Sequence, residues 1–371
     1  MPEIYIGLMS GTSLDGVDGV LAELSESKPR VVRHHWCSFA PELRAELLAL
    51  NTTGNNELHR AALAANAVAR AYAGVVNALL AASAVTHDAV AAIGAHGQTV
   101  RHRPGEFDGT GYTLQLLNPA LLAELSGIDV VADLRSRDVA AGGQGAPLVP
   151  LFHQALWGAP GRTVCVLNIG GIANLTVLPE AGAAIGFDCG PGNALMDYWC
   201  QQHTGQPYDA SGSWAASGQV LPELLPALLD EDFLRVAPPK STGRDLFNPA
   251  WLAIRLQAFA GAATPVDVQA TLTEFTARAC ADSFQRHASG ASALRVCGGG
   301  ALNAHLMARL AALLPGVEVT STAAHGLDPL QVEAAAFAWL AQKAVRRERL
   351  PLQSITGARG ARVLGCIYPG S

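Results

Sequence analysis

Lysine is scarce in this sequence: Lys28, Lys240 and Lys343 are the only three among 371 residues, and charged residues make up only 15%. The formal net charge is −6, and the longest basic run is Arg346-Arg347. Binding to a nucleic-acid backbone requires a basic face on the protein. The charge balance therefore predicts a protein without a nucleic-acid partner.

Paired cysteines are also missing. The seven cysteines form no Cys-x-x-Cys pair, and several lie in apolar segments such as Val164-Cys165-Val166. This pattern predicts buried free thiols in a reducing compartment, and no His/Cys cluster has the spacing of a zinc site. No basic region followed by an apolar run opens the chain, and polar residues interrupt its Ala-rich stretches. We therefore expect a cytoplasmic protein with no membrane partner.

What the sequence does contain is a repeated alternation of strands and helices, with half of the residues hydrophobic. The predicted strands are 4–9, 17–24, 31–39, 90–95, 128–132, 162–167, 172–178 and 294–297, and the long helices are 57–80, 267–287 and 329–346, the last with Asp328 as its N-cap. Alternation of this kind predicts an α/β fold. Because strand, glycine turn and strand open both halves, we expect two similar domains, residues 1–130 and 131–349, with the tail 350–371 packed on the first.

The first glycine turn, residues 10–16, reads Ser-Gly-Thr-Ser-Leu-Asp-Gly. Its glycines permit close backbone approach, its hydroxyls can donate hydrogen bonds, and Asp15 could hold magnesium directly or through water. It lacks the lysine and the following helix of a Walker A loop. Taken alone, such a hairpin is more often an ordinary turn than a phosphate site.

Two further turns favour the phosphate interpretation. Residues 168–174, Asn-Ile-Gly-Gly-Ile-Ala-Asn, open the second half as residues 10–16 open the first. Gly298-Gly299-Gly300 follow a predicted strand and precede Ala301-Leu302-Asn303. Three successive glycines weaken any element, which indicates a backbone surface approached by a flat ligand such as adenine or ribose. A mobile loop is the alternative.

Five motifs, in order along nearly the whole chain, resemble the anhydro-N-acetylmuramic acid kinase family. They are Gly-Thr-Ser-Leu-Asp-Gly-Val-Asp at 11–18, Ala-His-Gly-Gln-Thr at 95–99, the turn at 168–174, Phe-Asp-Cys-Gly-Pro-Gly-Asn at 187–193 and Cys-Gly-Gly-Gly-Ala-Leu-Asn at 297–303. The resemblance implies two actin/hexokinase-like (ribonuclease H-like) domains around a central nucleotide and substrate cleft. It also implies ATP and Mg²⁺ as cofactors, a small sugar substrate and a homodimer.

The activity implied by the resemblance is ATP-dependent phosphorylation of 1,6-anhydro-N-acetylmuramic acid with hydrolysis of its anhydro bond. The products are N-acetylmuramic acid 6-phosphate and ADP, in cell-wall turnover. Another amino-sugar kinase, or an actin-like ATPase without a sugar substrate, is the alternative. The residues expected at the nucleotide are Gly11, Thr12, Ser13, Leu14, Asp15, Gly16, Val17, Asp18, Asn168, Gly170, Gly171, Asn174, Gly298, Gly299, Gly300 and Asn303.

Asp188 is the expected catalytic base. The reaction needs a carboxylate to polarise the water that attacks the anomeric carbon. Asp188 is predicted at the end of an apolar strand, ahead of Gly190-Pro191-Gly192, which keeps the approach open. A cap on the following helix or turn is the alternative role for this residue.

Four side chains are expected at the sugar. Arg135 and Arg137 could bind its lactyl carboxylate through bidentate hydrogen bonds, or either could form a surface ion pair. His96 could hydrogen-bond the sugar or be a structural histidine. Glu333 faces the sugar by resemblance, although stabilisation of a helix dipole would also explain it. The family-like segment 142–148 is predicted to form a loop at the cleft, while segment 240–245 has no assigned role.

Overall fold

The computed structural model describes residues 3–11, 13–25, 29–243 and 246–370. The chain forms two compact units: unit 1 is Met1–Leu156 with Gln331–Ser371, and unit 2 is Trp157–Leu330. These boundaries differ from the sequence-based ones near residues 130 and 349. Residues 131–156 and the last long helix belong to unit 1, and so does the tail.

Thirteen strands lie within the described residues. They are β1 (Glu3–Met9), β2 (Gly16–Leu24), β3 (Arg30–Ser38), β4 (Val90–Ala95), β5 (Gln98–Pro104), β6 (Gly111–Leu116), β7 (Val130–Ala132), β8 (Val164–Ile169), β9 (Ile172–Leu178), β10 (Ile185–Pro191), β11 (Ala293–Cys297), β12 (Glu318–Ser321) and β13 (Cys366–Tyr368). Strands predicted from the sequence agree with these bounds to within about two residues, the usual uncertainty of an element's ends.

The helices, again among the described residues, are α1 (Pro41–Ala49), α2 (Glu57–Ser83), α3 (Pro119–Ser126), α4 (Ser136–Ala140), α5 (Val149–Trp157), α6 (Ala194–Thr204), α7 (Ser213–Ala216), α8 (Leu224–Leu229), α9 (Asp232–Arg235), α10 (Pro249–Ala258), α11 (Pro265–His287), α12 (Ala304–Leu313), α13 (Val332–Val345) and α14 (Gln353–Thr356). Short 3-10 turns lie at His87–Ala89, Ala210–Gly212, Gly299–Leu302 and Thr322–His325. Several helices begin with proline after an Asn or Thr cap, as at α3, α10 and α11, because proline presets the first-turn φ.

The two units are built on sheets of the same topology. In unit 1 the strand order is β13-β7-β4-β1-β2-β3, and in unit 2 it is β10-β9-β8-β11-β12. In each, three consecutive strands form an antiparallel meander, and two later strands continue the sheet parallel to the first. β13 adds an antiparallel edge to unit 1 beside β7. The predicted α/β class and the predicted similarity of the two halves are confirmed.

Each unit has its own hydrophobic core, with one long helix at its centre. In unit 2 this helix is α11, whose Leu272 and Phe275 are buried. In unit 1 it is α2, whose face with Val68 and Tyr72 is fully buried. Among the described residues, α2 alone has the length and apolar composition to cross a membrane, and a core helix meets the same criteria.

Helix α13 lies directly against the sheet of unit 1 because two glycines permit it. Gly7 of β1 and Gly94 of β4 are paired across the sheet. A Cβ at Gly7 would collide with the carbonyl oxygen of Ala334, and a Cβ at Gly94 with that of Phe337. This close approach sets the position of the first turn of α13 on the sheet.

The start of α13 differs from the prediction. Asp328 does not cap the helix, because its Oδ1 accepts a hydrogen bond from the backbone N of Leu330 at 2.9 Å and closes a turn. The helix begins at Val332, three residues later than predicted, with Gln331 in the cap position. Glu333 therefore lies in the first turn of α13.

Candidate active site

The first hairpin, residues 10–16, joins β1 to β2 in unit 1; Thr12 lies outside the described residues. The carbonyl oxygen of Gly11 accepts hydrogen bonds from Leu14 N at 3.2 Å and from Gln98 Nε2 at 3.0 Å. Leu14 has a left-handed backbone with φ +57°, and its side chain is buried. A left-handed leucine is strained, so its buried side chain and these bonds together fix the hairpin's shape.

Asp15 organises the exposed side of this hairpin. Its Oδ1 accepts from Ser13 Oγ at 2.5 Å and from Gly16 N at 3.1 Å. Gly16 has no space for a side chain, because a Cβ there would collide with the carbonyl oxygen of Cys37. The next residues expected at the nucleotide differ in exposure: Val17 is fully buried, whereas Asp18 is partly exposed and 3.0 Å from His34 Nε2. Within the described part of this hairpin, the atoms available to a ligand include backbone groups, the Ser13 hydroxyl and the Asp15 carboxylate.

Asp15 has the chemistry of a magnesium ligand. Among the described residues, no group of three or more His, Cys, Asp or Glu side chains is arranged to hold a metal ion. Mg²⁺ in nucleotide sites commonly keeps several waters and takes only one or two carboxylates together with phosphate oxygens. A single exposed carboxylate such as Asp15 fits that donor set.

Ser10 is part of the protein's internal network. Its Oγ lies 2.8 Å from Tyr72 Oη and donates to the carbonyl oxygen of Gly97 at 3.2 Å. Both Ser10 and Tyr72 are buried. The expectation that the Ser10 hydroxyl is available to phosphate is therefore wrong, because this hydroxyl already bonds the turn after β4.

His96 connects the first hairpin to Arg135. The ring Nδ1 lies 3.2 Å from the carbonyl oxygen of Ser10, while Nε2 accepts from Arg135 Nε at 3.0 Å and Nη2 at 2.9 Å. A carbonyl only accepts and a guanidinium only donates, so Nδ1 carries the proton and the ring is neutral. Burial and the Arg135 charge hold the pKa of His96 well below its usual range. Both ring nitrogens are thus used inside unit 1.

Arg135 is fixed on a second side by the loop 142–148. Its Nη1 donates to the carbonyl oxygen of Gly145 at 2.7 Å. The buried carboxylate of Asp138 in turn accepts from Gly145 N and from Thr356 Oγ1, both at 2.7 Å. Burial raises the pKa of Asp138, and these two bonds oppose the rise. This role of Asp138 does not follow from the sequence, since Thr356 is 218 residues away and no local pattern indicates the bond between them.

Glu333 lies in the same electrostatic environment as Arg135. It is partly buried in the first turn of α13. Burial raises the pKa of Glu333 to about 6, the charge of Arg135 opposes this, and the charge of Asp18 adds to it. Unit 1 therefore places a carboxyl group that titrates near neutral pH close to an oriented arginine.

Three of the four residues predicted at the sugar, His96, Arg135 and Glu333, come together in unit 1. The fourth, Arg137, does not join them. It is exposed on α4 and lines a separate cavity with two other arginines. The structure therefore separates the two arginines that the sequence could not distinguish.

Asp188 lies in unit 2 at an irregularity of β10, where the pairing with β9 shifts between Asp188 and Gly190. Its backbone N donates to the carbonyl oxygen of Lys240 at 3.1 Å, and its Oδ2 accepts from Thr242 N at 2.8 Å. The strand continues to Pro191, so Asp188 does not end it as predicted. The residue in the cap position of α6 is Asn193, which excludes a helix-cap role for Asp188.

The segment that follows Lys240 holds Asp188 in place. Lys240 is buried, donates from Nζ to the carbonyl oxygen of Phe233 at 3.0 Å, and lies 4.5 Å from the centre of that ring. Burial lowers the pKa of Lys240. No role for segment 240–245 follows from the sequence, but in the structure this segment presents the N–H of Thr242 to Asp188. Arg244 and Asp245 lie outside the described residues.

The second hairpin, residues 168–174, joins β8 to β9. Asn168 and Asn174 are paired across it, and Asn168 is buried. The carbonyl oxygen of Gly170 accepts from Asn193 N at 2.7 Å, and that of Gly171 accepts two further backbone N–H groups of the same turn. Backbone hydrogen bonds from the loop after β10 therefore hold this hairpin.

The glycine triplet packs against the second hairpin. Gly298 has φ +77°, and a Cβ there would lie 2.6 Å from the carbonyl oxygen of Ile169; a Cβ at Gly300 would collide with the Ile169 side chain. Packing thus explains two of the three glycines, contrary to the prediction that a ligand requires them. Gly299 is exposed and has room. Asn303 caps α12, because its Oδ1 accepts the N–H at the third helical position at 3.0 Å.

Comparisons with known proteins cover the whole chain. The family model for anhydro-N-acetylmuramic acid kinase matches residues 3–370. Curated relatives with that name include one from Variovorax paradoxus, 66% identical over 99% of both chains. Another, from Albidiferax ferrireducens, is 61% identical over 100% of both chains, and one from Bordetella pertussis is 57% identical over 99% of this chain and 96% of its own.

The fold is also found in solved structures. Component A of (R)-2-hydroxyglutaryl-CoA dehydratase from Acidaminococcus fermentans matches with a TM-score of 0.50 and 12% identity, over 91% of this chain and 96% of its own. At that identity the likeness shows the fold alone. With the repeated sheet topology it confirms the actin/hexokinase-like α/β architecture. Since the family model spans residues 3–370, this chain belongs to the anhydro-N-acetylmuramic acid kinase family.

Proposed function

We propose that the protein transfers the γ-phosphoryl group of ATP to 1,6-anhydro-N-acetylmuramic acid while water opens the anhydro bridge. The water oxygen bonds to the anomeric carbon, the bond from that carbon to the 6-oxygen breaks, and the 6-oxygen takes the phosphoryl group. ADP leaves, and one proton of the water is released. The products are N-acetylmuramic acid 6-phosphate and ADP. Membership of the family and the name shared by its relatives support this reaction.

The observation that carries the mechanism is the fixed carboxylate of Asp188. A general base must point at the water it polarises, and the 2.8 Å bond from Thr242 N orients this carboxylate. In this mechanism Asp188 takes the water proton. No separate acid is needed, since the leaving oxygen is captured by phosphorus rather than by a proton.

Arg135 is the proposed ligand of the lactyl carboxylate. Bidentate recognition of a carboxylate needs a guanidinium held in one orientation. His96 and Gly145 provide that orientation, so His96 acts on the sugar through Arg135. Glu333 is proposed to accept a hydrogen bond from a sugar hydroxyl. Arg137, which is outside this group, is the weaker candidate for the carboxylate.

The two hairpins and the glycine triplet are the proposed nucleotide-binding elements. In the first hairpin, backbone N–H groups and the Ser13 hydroxyl would meet the phosphates. In the triplet, exposed Gly299 is the member with room for a flat ligand beside its backbone. When bound, Mg²⁺ neutralises phosphate charge, and Asp15 is its proposed protein ligand, directly or through water.

Product mass is the test of this function. Incubation with ATP and the anhydro sugar should yield a product heavier by one water and one phosphoryl group. A product heavier by a phosphoryl group alone would indicate an ordinary amino-sugar kinase. ATP hydrolysis without any sugar product would indicate an ATPase of the same fold. Either result would contradict the proposal.

The proposal extends to the protein's surroundings: a cytoplasmic enzyme that acts as a homodimer. Seven free cysteines, five of them buried, suit a reducing compartment. ATP and a small sugar are its proposed partners, with no nucleic acid and no membrane. Light scattering coupled to gel filtration should give twice the chain mass of 38.5 kDa. A mass equal to one chain would contradict the dimer.

A further inference from the structure

Unit 1 contains a ligand-sized cavity, with a volume of about 750 Å³. It is formed where three segments meet: the end of β7 with the start of α4, the residues after α13, and the tail before β13. Three arginines line it, Arg137, Arg349 and Arg362, together with Asp133 and the thiol-bearing residue Cys366. Its lining includes none of the three residues His96, Arg135 and Glu333. Volumes of this size are typical of small-molecule sites.

Among the described residues, none of the three arginines forms an ion pair, although the Asp133 carboxylate lines the same cavity. Elsewhere on the surface, arginines such as Arg60 and Arg255 lie 2.7–3.1 Å from carboxylates. Within the part of the chain that the structure describes, no carboxylate lies within 4 Å of the guanidinium groups of Arg137, Arg349 or Arg362. Like charges around one concavity repel each other, and an anion placed among them removes that repulsion. This concentration of positive charge occurs in a chain whose net charge is −6.

We propose that this cavity binds the phosphate monoester of a small hydroxylated molecule, of the size of a hexose 6-phosphate. Three guanidinium groups and one carboxylate line it, which gives 3 − 1, a net charge of +2. A phosphate monoester carries about −1.5 to −2 at neutral pH and matches the planar fork of arginine. The Asp133 carboxylate repels phosphate oxygens but accepts hydrogen bonds from hydroxyl groups. The ligand therefore combines a phosphoryl group with hydroxyls.

The rate at which Cys366 is chemically labelled reports how much of the cavity is occupied by ligand. It is an exposed free thiol in the lining, whereas Cys37 is an exposed free thiol on β3, outside the cavity. Labelling of the full-length protein with N-ethylmaleimide, followed by peptide mass spectrometry, gives the rate at each cysteine. Glucose 6-phosphate at ten times its Kd should slow the labelling of Cys366 by about tenfold, because only about a tenth of the sites remain empty. The rate at Cys37 should stay unchanged.

Variants test whether the arginines cause the protection. In the double variant Arg349→Gln/Arg362→Gln, glucose 6-phosphate should no longer protect Cys366. Arg70→Gln is the matched control: Arg70 is an exposed arginine of unit 1, on α2, outside the cavity, and its removal should leave protection intact. The buried thiols, Cys165 and Cys297 among them, stay unlabelled in a folded variant. If the double variant fails that check, Arg349→Gln alone, an exposed position, replaces it.

The outcomes distinguish this site from the proposed active site, because the labelling experiment requires no turnover. Absence of protection by glucose 6-phosphate, or protection that persists in the arginine variant, would overturn the proposal. Equal protection by inorganic phosphate would overturn the requirement for a hydroxylated ligand. Protection by glucose 6-phosphate well above that by phosphate or free glucose supports it. Loss of sugar kinase activity has no bearing on any of these results.

Discussion

The two hairpins occupy equivalent places in sheets of the same topology, yet they are held by different kinds of contact. In unit 1, the first hairpin is held largely by side chains, among them Gln98, Tyr72 and its own Asp15. In unit 2, three backbone N–H groups of the turn after β10 hold the second hairpin, with one side-chain bond from Asn193 Nδ2 to the carbonyl oxygen of Ile169. A backbone contact survives most substitutions and a side-chain contact does not. Equivalent topology therefore gives the two hairpins unequal sensitivity to substitution.

The units also differ in the proposed chemistry, since the proposed base lies in unit 2 and the proposed sugar-binding groups lie in unit 1. The largest expected effect tests that division. Asp188→Asn should lower kcat by about 10²–10⁴-fold, the range that general-base catalysis supplies, while the Kd for ATP changes little. Steady-state kinetics give kcat, and nucleotide titration gives the Kd for ATP. Retention of normal kcat in this variant would rule out Asp188 as the base.

Backbone packing in unit 2 predicts that the glycines of the triplet differ in how much stability is lost when each is replaced by alanine. Gly298→Ala should lower the free energy of unfolding by about 1–3 kcal/mol, because its positive φ and the nearby Ile169 oxygen both penalise a side chain. Gly299→Ala, next to it, should be close to neutral in stability. Urea unfolding compares the two. Equal stability losses would contradict the packing explanation.

In unit 1, the raised pKa of Glu333 predicts a pH effect on stability. Burial raises the pKa of this carboxyl from 4.5 in the unfolded chain to about 6. Ionised Glu333 therefore costs the fold up to about 2 kcal/mol above pH 6, and the cost disappears as the pH falls below 4.5. Glu333→Gln should stabilise the protein at pH 7, with no gain at pH 4, and should raise KM for the sugar. A variant less stable than the parent at pH 7 would show that the ionised carboxylate is well paired.

The smallest effect concerns the side-chain support of the first hairpin. Tyr72→Phe removes the hydroxyl that bonds Ser10 and should cost about 0.5–1.5 kcal/mol of stability. Phe replaces Tyr without changing the packing of the ring, so the loss reports the hydrogen bond. Chemical denaturation measures it, with Tyr208→Phe, an exposed tyrosine, as the control. If both variants unfold alike, the Ser10 bond does not support the hairpin.

Local patterns in the sequence were sufficient for β1–β4, β7–β9 and β11, for the long helices and for the repeated strand–turn–strand unit, but they did not predict β5, β6 or β12. They failed where the outcome depended on residues distant in the chain. The boundary predicted near residue 349 was misplaced because α13 packs on β1 and β4 through Gly7 and Gly94, and neither glycine belongs to a turn motif. The role of Gly298 was misread for the same reason, since Ile169 lies more than a hundred residues earlier.

The candidate site shows the same limit. The hairpins and Asp188 were predicted from their motifs. The hydrogen bond from Thr242 N to Asp188 could not be predicted in that way, because it depends on how an irregular segment 54 residues later folds back against β10. Arg135 and Arg137, two residues apart, looked equivalent in the sequence. Only the structure shows that one is oriented by His96 while the other lines a cavity with Arg349. Side chains two residues apart on a short helical segment point in different directions. Their spacing in the sequence does not show which of the two faces the other site residues.

The connectivity of unit 1 has a consequence for biosynthesis. Unit 2 is one continuous segment, but the sheet of unit 1 combines residues from before and after it, because β13, which pairs with β7, is made after the whole of unit 2. On the ribosome, unit 2 can complete its core first. Until the rest of the chain is made, the sheet of unit 1 has an open edge at β7, and α13 does not yet cover Gly7 and Gly94. Such an unfinished edge is a point at which nascent chains associate wrongly. A chain that stops before α13 therefore leaves a product in which unit 2 is complete and unit 1 lacks its covering helix.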